Sequence, residues 1–277
     1  MSLKNQAHAT RVNYIRGVRD LMLNLGKLPE NCTVDELKAY LVRQRDELNY
    51  SSSTVNLRVC GLKYYFREVI HRPDLVVNIP NPRLQKYDTE VLNFAELLRM
   101  RSSCRDMRQL LVLHLLYDTG LRVRELCRLR VADFDKHQRT IRIRNSKGNK
   151  MRTVFYGDEL CSILNRYVKA RGGVPADTIL ESYVDKGKPL SVRGIQHIVR
   201  QIVRRAGIKK RVSPHTLRHT FAVHYLDAGG TLTDLQKLLG HANLTTTLHY
   251  LKYAQLPENR RVSVLDELMR RTGKTGK

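Results

Sequence analysis

No stretch of this 277-residue chain approaches the roughly 18 consecutive apolar residues that a membrane-crossing helix needs. Its first ten residues, MSLKNQAHAT, lack the apolar run of a secretory signal, so a cytoplasmic protein without a membrane partner is expected. Cysteine is sparse: Cys32, Cys60, Cys104, Cys127 and Cys161 are scattered, odd in number and never form a CxxC pair. That pattern excludes a disulfide framework and a thiolate zinc site, and reads as small buried hydrophobes in a reducing compartment. Acidic residues are also scarce, 26 Asp+Glu against 50 Lys+Arg, for a net charge of +24. The imbalance is uneven: 13 basic and 8 acidic residues precede Leu84, whereas 37 and 18 follow.

The basic residues do not form a tail of consecutive lysines. They are interleaved with apolar residues of folding segments, as in VRQIVRRAGIKKRV from Val199 to Val212. A dispersed positive surface on a folded domain predicts contact with a polyanion, most often nucleic acid. With 42% hydrophobic residues the chain can build real cores.

Residues from about Ala9 to Arg72 read as helical. Val12, Ile15, Val18, Leu21, Met22 and Leu25 recur at helical spacing, and Gly26 is placed to stop that helix. Thr33 and Glu36 form a capping-box signal for a second helix. Ser51 to Ser53 open a third, whose buried residues are expected to be Val55, Leu57, Val59, Leu62, Tyr65 and Phe66. Between Arg72 and Asp88, Pro73, Pro80 and Pro82 forbid a continuous helix and suggest an extended connector. Two domains are expected, residues 1–80 and 88–277, joined by a linker at 81–87. In the second, Thr140 to Arg144 alternates as a strand, residues 145–150 form a turn-rich tip and Met151 to Tyr156 return as the second strand of a hairpin. The remainder reads as helix over Asp158–Arg171, Val192–Ala206, Pro214–Asp227, Thr233–Leu239 and Leu244–Tyr253. The fold class is mainly α with a small β-sheet.

Six residues carry chemistry in a fixed order: Arg122, Lys147, His215, Arg218, His241 and Tyr250. Guanidinium groups grip phosphate oxygens bidentately, imidazoles move protons near neutral pH, and a phenol can be a covalent nucleophile. Arg122 lies just beyond a helix stop at Gly120, with Glu125 placed to orient it. Lys147 occupies the hairpin tip, from which an ammonium can reach a leaving oxygen. Lys150 and Arg152 suit a plain electrostatic contact to DNA phosphates. In SPHTLRH, Ser213 is an N-cap and Pro214 suits the first helical position, so His215 and Arg218 fall one turn apart near a helix N-terminus. His215 and His219 have the i, i+4 spacing of a zinc helix and His224 follows, but Thr216 stands where a zinc protease carries Glu, and no carboxylate or thiol ligand is near; no metal is expected. His219 instead reads as a buried, hydrogen-bonded brace. His241 follows the stop at Gly240, and Tyr253 rivals Tyr250 as nucleophile.

TGLRVREL, SKGNK, HTLRH, LGH and the final HY resemble the boxes of the tyrosine recombinase (phage integrase-like) family, including Xer-type recombinases. The resemblance covers nearly the whole chain. It implies an N-terminal helical, SAM-like core-binding domain and a C-terminal catalytic domain that together clamp DNA. It implies phosphate-binding roles for Arg122 and Arg218, a general-acid role for Lys147, proton transfer and transition-state support from His215 and His241, and a 3′-phosphotyrosyl link to Tyr250. The implied partner is double-stranded DNA, bound by a homotetramer on two sites, with strand exchange through a four-way junction and neither ATP, metal nor other cofactor. An apolar stripe of Val264, Leu265, Leu268 and Met269 suggests a terminal helix that packs on a neighbouring protomer or on its own domain. Lys63, Arg67, Arg193 and Arg200 are candidates for DNA contact. A type IB topoisomerase shares this chemistry, and a non-catalytic DNA-binding relative shares the fold; both stay open, although the intact six-residue set argues against the second.

Overall fold

The computed structural model describes residues 8–83, 90–144, 151–172, 178–185 and 187–255. The chain divides into two compact units, Met1–Asp88 and Thr89–Lys277.

The first unit is built on α1 (His8–Leu25), α2 (Val34–Asp46) and α3 (Ser52–Glu68). Each boundary has a local cause. α1 stops where Gly26 adopts φ +64, the left-handed conformation that glycine takes without a Cβ penalty. Thr33 and Glu36 cap α2 reciprocally: the Glu36 amide donates to Thr33 Oγ1 (3.3 Å) and the Thr33 amide to Glu36 Oε2 (2.9 Å). Ser51 Oγ accepts the Thr54 amide (3.3 Å) at the start of α3. The core comprises Leu21, Leu37, Tyr40, Val55, Val59, Leu62 and Phe66. Arg58 of α3 donates to Asp20 of α1 (2.6 Å) and to the Tyr40 hydroxyl of α2 (3.1 Å), so one guanidinium ties the three helices.

Two expectations are corrected here. Val12, Leu57 and above all Ile15, 61% exposed, face outward, because burial in α1 is confined to the stripe that meets α3. The proline-rich segment is not simply a connector at its start: Pro73–Leu75 forms a 3₁₀ turn, and Leu75, Val76 and Ile79 join the first core. Proline forbids an α-helix, but it also prefixes φ for a tight turn that returns apolar side chains to the bundle.

The second unit opens with α4 (Phe94–Ser102) and α5 (Met107–Asp118). Leu111, Val112, Leu113, Leu115 and Leu116 are all buried, which makes α5 its central helix, packed against α7 (Asp158–Ala170), α8 (Val192–Arg205) and α9 (Pro214–Asp227). The short α6 (Val123–Leu126) precedes an antiparallel sheet of β1 (Phe134–Asp135), β2 (Thr140–Ile143) and β3 (Arg152–Phe155), ordered β1-β2-β3. Ile141 pairs with Val154 and Ile143 with Arg152. In β2 the alternation holds: Ile141 and Ile143 are buried while Arg142 is exposed. β1 was not anticipated from the sequence. The unit ends in α10 (Leu232–Leu239), α11 (Leu244–Leu248) and a 3₁₀ turn, His249–Lys252. No helix among the described residues is long and apolar enough to cross a membrane.

Candidate active site

The C-terminal end of α10 organises the site. The last carbonyls of a helix have no intrahelical partner and carry the negative end of its dipole. Three successive carbonyls here each accept from a different arginine. Arg152 Nε donates to Leu238 O (2.8 Å), Arg218 Nη2 to Leu239 O (2.7 Å) and Arg122 Nη2 to Gly240 O (3.3 Å). Gly240, at φ +62, caps the helix and turns the chain towards His241.

Glu125 joins two of these guanidiniums. Arg152 meets it with two parallel bonds, Nη1 to Oε1 and Nη2 to Oε2, both 2.7 Å. Arg122 adds its amide (2.8 Å to Oε2) and Nη1 (3.1 Å to Oε1). Burial opposes ionisation of Glu125, but its bonds and charge attraction to Arg152, reinforced by Arg122, hold it down to about 2. Three guanidiniums against one carboxylate leave two positive charges uncompensated by side chains.

Arg218 lies one turn into α9, 4% exposed. Ser213 caps this helix with a box to Thr216, and Pro214 takes its first position, as expected from the sequence. Arg218 Nη1 also donates to Gly120 O (2.6 Å). Gly120 has φ +58, and a Cβ there would sit 2.4 Å from Phe221 and 3.1 Å from Leu239, so glycine alone lets the carbonyl approach. Burial and the nearby Arg122 draw Arg218 down to about 10, which leaves it charged at neutral pH.

Tyr250 sits in the 3₁₀ turn after α11, not within the longer helix expected from the sequence. It is 4% exposed, packed among Ala222, Val223, Leu226, Leu235 and Leu239. Burial raises its pKa, and the positive charges of Arg218 and then Arg122 work in the opposite direction. His241 stacks on the phenol ring (centroids 6.2 Å apart, planes within 13°), and His219 covers another side at 5.4 Å.

The histidines differ in their bonding. His241 bonds Arg218 Nη2 through Nε2 (3.1 Å) and Thr247 Oγ1 through Nδ1 (3.0 Å). Burial, then the charges of Arg218, Arg122 and Arg152, push it down to about 4. His219 is also pushed to about 4, by burial and then by His215 and Arg218. Its Nδ1 is buried without a hydrogen-bond partner, so it supports the site by ring packing on Tyr250, not by the hydrogen bond expected of it at that nitrogen. His215 is exposed at the edge of the site, and desolvation together with Arg218 and Arg122 lowers its pKa.

Five of the six sequence-predicted residues, Arg122, Arg218, His215, His241 and Tyr250, belong to one electrostatic neighbourhood. Lys147 and Lys150 lie outside the described residues, as do Val264, Leu265, Leu268 and Met269. Arg152 departs from its expected role as a surface phosphate contact: its side chain is 9% exposed and is held by Glu125 and Leu238. Arg67 is exposed on α3, and Arg193 and Arg200 are exposed on α8. Lys63 donates to Asn81 Oδ1 (2.8 Å). Sequence reasoning missed the α10 carbonyls, the inner role of Arg152, and Thr247. No group of three or more His, Cys, Asp or Glu among the described residues could hold a metal ion. The arrangement can bind an anion at fixed cations beside a phenol, the requirement for covalent attack at phosphorus.

Residues 89–256 match the model of the phage integrase family, and residues 1–74 match that of the phage integrase N-terminal SAM-like domain. A tyrosine recombinase of Pseudothermotoga lettingae is 36% identical over 223 residues, covering 79% of this chain and 76% of its own. The tyrosine recombinase XerA of Pyrococcus horikoshii is 33% identical over 219 residues, covering 79% and 75%. Among solved structures, a lambda integrase tetramer bound to a Holliday junction superposes with a TM-score of 0.74 at 19% identity, over 94% of this chain and 74% of that one. At that identity the likeness speaks for the fold alone.

Proposed function

Since this chain belongs to the phage integrase family of tyrosine recombinases, we propose that it breaks and rejoins DNA at specific sites with Tyr250 as its nucleophile. The observation that carries this assignment is the placement of the Tyr250 phenol against His241, which bonds Arg218, a guanidinium that shares the end of α10 with Arg122. The phenol oxygen attacks phosphorus, the bond from phosphorus to the 5′-oxygen breaks, and the chain is left with a 3′-phosphotyrosyl link. Arg122 and Arg218 hold the charge of the five-coordinate phosphorus. His215, neutral at pH 7 and close to both arginines, accepts the phenol proton. Lys147 gives a proton to the departing 5′-oxygen. A 5′-hydroxyl of a partner duplex reverses the step, so the phosphodiester energy is kept and neither ATP nor metal enters the balance.

In this reading residues 1–80 grip DNA together with a catalytic domain from residue 88, and Arg67, Arg193 and Arg200 contact phosphates. Four copies act on two duplexes, as the lambda integrase tetramer does on its junction, and residues 264–269 are the proposed contact between copies. Exchange then proceeds through a four-way junction in the cytoplasm.

The test is covalent trapping in EDTA on nicked suicide duplexes. The wild type should form an adduct that maps to Tyr250 by mass spectrometry, and Tyr250→Phe should bind DNA equally but form none. An adduct on Tyr250→Phe would transfer the role to Tyr253.

A further inference from the structure

The two ring nitrogens of His241 are not equivalent, and their partners decide where the proton is. A guanidinium has five donors and no acceptor. Arg218 Nη2 lies 3.1 Å from His241 Nε2, so Nε2 must present its lone pair. The ring proton then resides on Nδ1, and Thr247 Oγ1, 3.0 Å away, receives it. The reverse tautomer would direct an imidazole N–H against a guanidinium N–H across that 3.1 Å gap.

The surroundings leave the ring little freedom to choose otherwise. The His241 amide donates to Gln236 O (3.1 Å), and its carbonyl accepts Gln236 Nε2 (3.2 Å), so its backbone is fixed to α10. One face of its ring lies parallel to Tyr250. Thr247 is itself fully buried, so its hydroxyl is shielded from solvent. The acceptors that hold Arg218 are the carbonyls of Gly120 and Leu239 and His241 Nε2. Carbonyls accept in every protonation state. His241 is the one whose ability to accept depends on which nitrogen carries a proton.

We propose that Thr247 is a positioning residue of this site: its hydroxyl takes the Nδ1 proton of His241, fixes the imidazole as the neutral tautomer with a bare Nε2, and so keeps Arg218 aligned for the phosphate. In this assignment Thr247 acts through His241 and not on the phosphate or the nucleophile directly. The catalytic part of this assignment rests on the recombinase reading; the tautomer does not.

The experiment compares wild type, Thr247→Val and Thr247→Ser, with the side-chain nitrogens of histidine labelled and His241→Gln used to identify the His241 signals. At pH 7.5 without DNA, the wild type and Thr247→Ser should show a protonated Nδ1 and a bare Nε2. Thr247→Val, which keeps the shape but not the hydroxyl, leaves the Nδ1 proton without an acceptor, so the Nε2–H form should gain population at the expense of the bond from Arg218. On nicked suicide duplexes, Thr247→Val should form adduct about tenfold more slowly, the size expected for one hydrogen bond to a charged group. Thr247→Ser should restore most of that rate, and DNA affinity should stay level across all three. A wild-type ring protonated on Nε2, or on both nitrogens, overturns the proposal without need of any variant. So does equal slowing by valine and serine, which would assign Thr247 to packing alone. A wild type with the expected tautomer but no adduct on any duplex would instead refute the recombinase reading and leave the tautomer assignment standing.

Discussion

The two units bury different things. Among the described residues the first has a single buried polar side chain, Gln44, in a core of leucine, valine, tyrosine and phenylalanine. The second buries twelve, including Glu96, Glu125, Asp133 and Arg218. The first unit therefore gains its stability from apolar area and helix caps, with its tying ion pair, Arg58 with Asp20, only half-buried. The second accepts the desolvation of charged groups, which is offset only if each keeps its partners. Buried charge is a weak source of stability and a strong source of fixed geometry, and that is what phosphoryl chemistry requires.

The sharpest way to break this contrast is to remove Glu125. Glu125→Ala leaves Arg122 and Arg152 without their shared counter-charge and should lower the stability of the second unit by about 3–5 kcal/mol in urea unfolding, with loss of DNA cleavage. An equivalent attack on the first unit is Leu62→Ala, which should cost about 2–5 kcal/mol through cavity formation alone. Adduct formation on a duplex bound at saturating protein should then be preserved.

Acid separates the units further. His219 and His241 have folded pKa values near 4, below the ordinary value of about 6.5. Folding therefore favours their neutral forms, and the stability they contribute is complete above about pH 6.5 and is lost as the pH falls towards 4. Glu125, held down to about 2, contributes stability above about pH 4.3 that is lost only below it. The shifted acids of the first unit, Glu36, Asp46 and Asp74, are drawn down by their hydrogen bonds to Lys27, Arg45 and Arg72, and none of the three is buried. Thermal unfolding followed through methyl signals of Leu62 and Leu226 should show the second unit weakening between pH 6.5 and 4.5 while the first holds. The smallest effect expected is Ser51→Ala, which removes one cap from α3 and should cost about 1 kcal/mol without altering the site, as read by urea unfolding.

Much of this was legible in the sequence because its cause is local. Thr33 with Glu36, Ser213 with Pro214, and the glycine stops at Gly26, Gly120 and Gly240 are short-range signals, and the structure bears each of them out. Glu125 was recognised as the partner of Arg122 because it lies three residues away. What stayed hidden is non-local or made of backbone. Nothing in Arg152 distinguishes a surface arginine from one that closes on Glu125, 27 residues earlier in the chain. Thr247 is one of three consecutive threonines, and only the packing selects it. The α10 carbonyls have no signature at all, because every residue has one.

That last point sets what kind of change the site can absorb. Since its three acceptors are main-chain oxygens, exchange of side chains on the outer face of α10, such as Lys237, leaves them in place. Length is another matter. Deleting one residue from α10 would turn its end by about 100° and shorten it by about 1.5 Å, directing each carbonyl away from its arginine. In α10, then, variation by substitution is compatible with an intact site, whereas insertion or deletion within the helix dismantles it at a stroke.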